Sequence, residues 1–355
     1  MKQILLLIGA LTVVLFSAIN TQAEWNHPQT KKLPHQHLGP FLKLSNGSLL
    51  APDAKQVLIS KDAGKSWNAK PLYHNPEKFL TSNERALIKT RKGTLILSYM
   101  NLAERKFNWN DKKGGPQPDC YLPVYISRST DDGQTWMTPQ ILQGHSWCGA
   151  VRSIIQTKSG RVIVVVSKTI ANPGRHVMVT YYSDDEGATW NHSNMIDLGG
   201  SGDHDGAMEG TIVELKDGRI YSLIRTKFGR FWEAFSNDEG ASWRTIKPSQ
   251  IPASSSPAIL KRLESGRIVM LWNRFRDPKL KKGRREELSI AFSEDECKTW
   301  SEPIIIARDL TPKGQKRENR VSYPYVTEVK PGELWITTMQ GPVRLSLKEN
   351  DFLKK

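Results

Sequence analysis

Ser183-Asp184-Asp185-Glu186-Gly187-Ala188-Thr189-Trp190 is one of five copies of the pattern Ser-x-Asp-x-Gly-x-Ser/Thr-Trp in this 355-residue chain. The others span residues 60–67, 129–136, 236–243 and 293–300, the last with Cys297 in place of the glycine. The opening serines, at 60, 129, 183, 236 and 293, recur every 53–69 residues. A repeat of that length means one supersecondary unit stacked on copies of itself. Within the pattern, Asp accepts bonds from nearby backbone N–H groups and Gly supplies a positive φ, so each copy reads as a tight turn. The box aspartates are thereby assigned to structure and not to catalysis. Cys297 predicts a slightly strained fifth turn.

A second motif interleaves with the boxes. Six hairpins place an apolar strand on each side of a polar turn with glycine. They cover residues 41–50 around Gly47, 86–99 around Gly93, 153–166 around Gly160, 211–224 around Gly218, 258–272 around Gly266 and 325–338 around Gly332. Five are followed by a further strand and then a box. One unit is therefore four antiparallel strands, and six units predict an all-β, six-bladed β-propeller. The sixth blade has no box; residues 343–347 supply its third strand, and residues 24–33 are candidates to donate its outer strand and clasp the ring. A sandwich gives no reason to repeat one turn.

The N-terminus carries Lys2, an apolar run over residues 4–19 and Thr21-Gln22-Ala23. This pattern predicts a cleaved secretory signal over residues 1–23 and a propeller over 24–355. The run is too short and wrongly flanked for a membrane span, so no stable membrane insertion is expected. Removal of the leader takes away one charge, leaving +14 of the formal +15. Such a surface favours acidic partners, anionic glycans first; export sets nucleic acid aside. Three cysteines are too few for a disulfide framework, with Cys120 and Cys148 either paired or free. No spacing of metal ligands appears, and no cofactor or metal is expected.

In a propeller the inner strands of all blades begin near one end of the axis. The position nine residues before each turn glycine therefore forms a ring: Leu38, Glu84, Val151, Glu209, Pro257 and Tyr323. Arg85 and Arg152 follow two of these. Charged groups there need a wet cavity or each other, so both arginines read equally as braces paired with a neighbouring Glu or as substrate ligands.

The boxes, and above all Ala207-Met208-Glu209-Gly210-Thr211 continuing to Gly218 and Arg225, resemble the exo-α-sialidases and their Asp-box relatives. In that family a Glu opens the inner strand of the fourth blade, an Arg closes the next strand, a Tyr opens the sixth blade and another Arg precedes the box strand of the fifth. Glu209, Arg225, Tyr323 and Arg285 match those places, with Arg284 a close second to Arg285. The resemblance implies Tyr323 as nucleophile, Glu209 as its base, and Arg225 and Arg285 as a clamp on a sugar carboxylate. Paired guanidinium bonds suit a carboxylate, and a Tyr nucleophile is a known exception to two-carboxylate glycoside hydrolysis.

Two departures stand out. Gln36-His37-Leu38-Gly39-Pro40 stands in place of the family's first-blade Arg-Ile-Pro, so either the clamp is rebuilt with Arg85 or Arg152 or the substrate is not sialic acid. The loop that carries the family's acid is short here, with Asp53 a poor candidate. The long loop over residues 101–122 holds Glu104, Arg105, Phe107, Trp109, Asp111 and Asp119 instead, with Asp119 as candidate acid. His37, next to His35, and His204, within Asp203-His204-Asp205, are further candidates at the rim. The chemistry implied is hydrolysis at a terminal acidic sugar, sialic acid first. Elimination from a uronic-acid polysaccharide and plain glycan binding are the alternatives.

Overall fold

The computed structural model describes residues 24–274, 285–310 and 320–353. The expected signal segment and Arg284 lie outside them. Among the described residues six antiparallel sheets of four or five strands follow one another along the chain, with a two-stranded ribbon of Trp109–Asn110 and Gly115–Pro116 beside them. Blade one holds Leu42–Lys43, Leu49–Pro52, Gln56–Ser60 and Asn68–Pro71. Blade two holds Thr81–Lys89, Leu95–Asn101, Val124–Ser129 and Gln140–Gln143. Cys148–Gln156, Val162–Ile170, Arg175–Ser183 and Asn191–His192 form blade three. Met208–Glu214, Ile220–Arg225, Arg230–Ser236 and Thr245–Pro252 form blade four. Blade five runs through Ile259–Arg262, Ile268–Trp272, Glu287–Ser293 and Ile304–Asp309. Blade six has Ser322–Lys330, Glu333–Gln340 and Arg344–Lys348.

The N-terminal segment completes the ring. Lys31–Lys32 pairs with Arg344–Lys348 as the fourth strand of blade six. Glu24–Asn26 adds a fifth strand to blade five, in register from Glu24 opposite Asp309 to Asn26 opposite Ala307. The segment read as a clasp over residues 24–33 thus closes two blades.

The core is divided among the blade interfaces. Six clusters of buried side chains fill the six junctions, each drawing on two neighbouring blades. Trp67, Trp136, Trp190, Trp243 and Trp300, the last residue of each box, each pack into the junction with the preceding blade. Burying an aromatic removes 150–250 Å² or so of surface from water, so each box plugs the seam its own blade makes. Blade six has no box, and its seam with blade five is filled mostly by aliphatic residues such as Val269, Leu288, Ile336 and Leu345, with Phe292 and Phe352.

The box geometry follows from its residue types. In the first copy Gly64 N donates to Ser60 Oγ at 2.8 Å, and Ser66 donates to Asp62 through its backbone N (2.9 Å) and its hydroxyl (2.6 Å). The turn glycines have φ near 80°, and Cys297 takes 65° in the same place. A side chain in that region costs about 1–2 kcal/mol, which is the strain expected at the fifth turn. The hydrogen bonds hold the Asp62 and Asp185 carboxyls down to about 2. For Asp185, burial opposes the shift and the bonds from Thr189 and Ser183 overcome it. A depressed carboxyl stabilises the fold above its unfolded value of 3.8 and loses that contribution as pH falls. The melting midpoint is therefore expected to drop steeply between about pH 4 and pH 2, and Asp185→Asn is expected to flatten part of that slope. A midpoint indifferent to acid over this window would contradict the role of the boxes. Among the described residues no helix is long and apolar enough to cross a membrane.

Candidate active site

The inner strand of blade four starts with a bulge. Pairing passes from Met208 opposite Arg225 to Thr211 opposite Leu223, leaving one extra residue on the inner strand. Glu209 sits in this bulge at φ 38°, and Tyr323, at the start of blade six, takes φ 61°. A bulge re-aims a side chain, and left-handed φ at a bulky residue persists only where the surroundings over-determine it. Both side chains line one cavity of about 300 Å³ at the end of the ring where the inner strands begin.

There they meet. Tyr323 Oη donates to Glu209 Oε1 at 2.9 Å. Arg225 NH1 donates to Glu209 Oε2 at 2.6 Å and to Tyr323 Oη at 3.0 Å, and Arg225 Nε donates to Ser255 Oγ at 3.2 Å. Arg225 and Glu209 are 3% and 9% exposed, a buried ion pair. Burial pushes the Glu209 carboxyl up, but the Arg225 charge and the bonds from Arg225 and Tyr323 outweigh it and hold the carboxyl below its usual range. The Tyr323 phenol is raised, by burial first and then by the Glu209 charge. Tyr323 is thus a neutral phenol with its proton aimed at an ionised acceptor.

Arg285 stands behind the tyrosine. Its guanidinium carbon lies 5.3 Å from the Tyr323 ring centre, and it donates to Gln340 Oε1 (3.0 Å) and the Ser255 carbonyl (2.6 Å). Burial and then the neighbouring Arg225 charge lower its proton affinity. Two guanidinium groups anchored on the same Ser255 repel each other, an arrangement an incoming anion relieves.

Among the described residues, Arg152 and Arg85 form no ion pair with Glu209 or any other acid. Arg152 lies 5.1 Å and 4.6 Å from the Tyr323 and Tyr325 ring centres and donates to the Pro324 carbonyl at 2.7 Å. Its Nε and Nη1 are buried with no hydrogen-bond partner among the described residues. Arg85 donates through its guanidinium to the Leu38 carbonyl at 3.1 Å and through its backbone N–H to Tyr325 Oη at 3.0 Å, tying blades one, two and six. The expected bracing by a neighbouring Glu is replaced by bracing through carbonyls.

The remaining candidates divide. His204 lines the cavity with its Nδ1 3.0 Å from Asp203 Oδ2. His37 is elsewhere: it stacks on His35 and meets Trp67 edge-on at the seam of blades one and six. Burial lowers it, and His35 beside it is lowered to about 4, by burial and then by His37. Asp119 is exposed, held by Asn108 at 2.7 Å, and is not among the cavity-lining residues. Its loop contributes Arg105 and Phe107 to the wall instead, Phe107 meeting Trp147 at 4.7 Å. The loop holds two short turns, capped by Asn101 and Asn110. Cys120 and Cys148 are both free.

Sequence reasoning passed over His176, in an apolar strand with no flanking signal. It lines the cavity, and its Nε2 donates to the Asp203 carbonyl at 2.5 Å. Burial lowers it, leaving a neutral imidazole. Glu84 was read as a ring position without a role; it also lines the cavity.

Residues 86–336 match the model of the BNR repeat-like domain family. A sialidase of Clostridium perfringens is 25% identical, the match covering 44% of this chain and 48% of that protein, so the chain spans about half the length of the curated relative it matches. A solved protein of unknown function from Dyadobacter fermentans superposes with a TM-score of 0.61 at 18% identity, covering 90% of this chain and 98% of that one. A Hadza microbial sialidase superposes with a TM-score of 0.63 at 16% identity, covering 91% and 69%. At these identities the likeness shows the fold. The blade order, the boxes and the family match agree, and the chain belongs to the BNR repeat-like family with a sialidase-like six-bladed propeller.

Proposed function

We propose that the chain is an exported glycoside hydrolase that removes a terminal acidic sugar, sialic acid first among them. The observation that carries this reading is the triangle of Tyr323, Glu209 and Arg225, closed by three hydrogen bonds of 2.6–3.0 Å. A binding site alone has no use for an ionised carboxylate aimed at a buried phenol. Tyr323 Oη attacks the anomeric carbon while its proton passes to Glu209, and a tyrosyl-sugar forms. A neutral nucleophile suits a substrate whose own carboxylate lies beside the reacting carbon, since a carboxylate would be repelled. Arg225 and Arg285 hold the sugar carboxylate, and Arg152 under the Tyr323 ring adds positive charge to the floor. His204 borders the outer part of the sugar.

The test is turnover of a fluorogenic sialoside by residues 24–355, with uronic-acid polysaccharides assayed in parallel for the absorbance of a new double bond. Release of free sialic acid supports the hydrolase. Absorbance growth without sialoside turnover would move the reading to elimination, with Tyr323 as the proton abstractor. Glycan binding without turnover would reduce the site to a lectin.

A further inference from the structure

Hydrolysis at the cavity leaves one role without a residue. The departing glycosidic oxygen needs a proton, and Asp119 does not line the cavity. We infer that Glu84 is the proton donor to the leaving group; this rests on the hydrolase reading above.

Three observations carry it. First, place: Glu84 lines the same cavity as Glu209 and Tyr323, at the start of the inner strand of blade two. Successive inner strands touch around the ring, so blade two stands across the axis from blade five. A sugar whose carboxylate is held by Arg225 of blade four and Arg285 of blade five therefore extends toward the wall that holds Glu84. Second, freedom: the Glu84 carboxyl makes no hydrogen bond to any described residue, whereas both oxygens of Glu209 are taken by Tyr323 and Arg225. Asp203, the other carboxylate of the wall, is held by His204. Third, protonation: burial, and then the charge of Glu209, raise the Glu84 carboxyl to about 8. Arg152, Arg225 and Arg285 oppose that rise without cancelling it, and Cys148 packs nearby as a neutral thiol. Two carboxyls of one cavity are thus driven apart, Glu209 ionised and Glu84 protonated, the division of labour that acid and base require.

The step balances. The bond from Tyr323 Oη to the anomeric carbon forms as the bond to the leaving oxygen breaks. The phenol proton goes to Glu209 and the Glu84 proton to the leaving oxygen, which departs as an alcohol. Glu84, now a carboxylate, takes a proton from water as that water attacks the tyrosyl-sugar, and Glu209 returns its proton to the departing Tyr323 oxygen.

The experiment compares Glu84→Gln with the unaltered protein on two sialosides. One carries a galactose leaving group, the other a strongly acidic phenol that departs unaided. General acid catalysis contributes about 100- to 10,000-fold, so Glu84→Gln is expected to lose about that factor on the galactoside and less than about 10-fold on the aryl sialoside. The fall of kcat/KM above about pH 8 is expected to vanish in the variant. Equal losses on both sialosides, or full galactoside activity, overturn the assignment. An infrared difference between the two proteins gives an activity-independent readout. A carboxylic-acid band from Glu84 that persists at pH 7 is expected; a Glu84 ionised at pH 5 overturns the proposal whatever the substrate. An unaltered protein inert to both sialosides sinks the hydrolase reading, and the donor role falls with it; Asp203→Asn with the leaving-group signature expected of Glu84→Gln sinks the donor role alone.

Discussion

Tyr323→Phe is expected to lower kcat/KM on a sialoside by about 1,000-fold or more while the protein stays folded. The size of the loss follows from removing the atom that forms the covalent bond. Its specificity follows from the packing. The phenyl ring keeps its place over Arg152 and Arg285, at 5.1 and 5.3 Å, and Glu209 keeps its bond from Arg225. Only the hydroxyl is lost, with the bond it donates to Glu209 and the bond it accepts from Arg225, each worth about 1.5–3 kcal/mol because the partner is charged. The raised phenol cannot ionise alone near neutrality, so attack and proton transfer to Glu209 go together. Glu209→Gln, which cannot accept that proton, is expected to fall by a comparable factor. Sialoside turnover by Tyr323→Phe within about tenfold of the parent would remove the nucleophile assignment.

Arg225→Met is expected to be the most destabilising single change at the site, by about 3–5 kcal/mol at pH 7. The figure reflects the Glu209 charge left behind without its partner at 9% exposure. Its pH dependence gives the cause away. In the parent, Glu209 lies below its usual value of 4.5, so the pair contributes stability above that value and loses it as pH falls. Without Arg225, burial raises the same carboxyl, and its protonated form needs no partner. The gap between parent and variant in urea unfolding is therefore expected to narrow from pH 7 to pH 4. A double change, Glu209→Leu with Arg225→Met, is expected to recover much of the loss, since the two residues act as one unit. A gap that stays constant with pH would show that lost packing, and not an orphaned charge, sets the cost.

The fold was legible because its signals are local. A box closes on itself within eight residues, through bonds such as Thr189 N to Asp185 Oδ1 at 2.8 Å, and so leaves a pattern any copy repeats. The turn glycines gave the register that set Glu209 and Tyr323 level, and the structure brings them within 2.9 Å. What depends on distant partners left little trace. Nothing around Glu24 announces its pairing with Asp309. His176 acquires its place from a loop carbonyl at Asp203. Asp119 has the right side chain in the right loop, but it lies in the turn closed by Cys120 N on the Gln117 carbonyl, bonded by Asn108 and exposed. Arg85 and Arg152, for which the sequence leaves bracing by a Glu and substrate binding equally open, hold the main-chain carbonyls of Leu38 and Pro324, which no side-chain pattern encodes.

The paired strands contributed by Glu24–Asn26 and Lys31–Lys32 bear on the order in which the molecule can be made. The first described residues are among the last to find their partners, because those partners lie in blades five and six. Until Arg344–Lys348 has been synthesised, Lys31–Lys32 has no strand to pair with, and until Trp335 has been made, Leu33 and Phe41 face a seam with only one side. The opening segment is without its strand partners through most of synthesis. That makes it the point where a holding chaperone, or a fused tag, acts on the yield of closed rings without touching the chemistry at their centre.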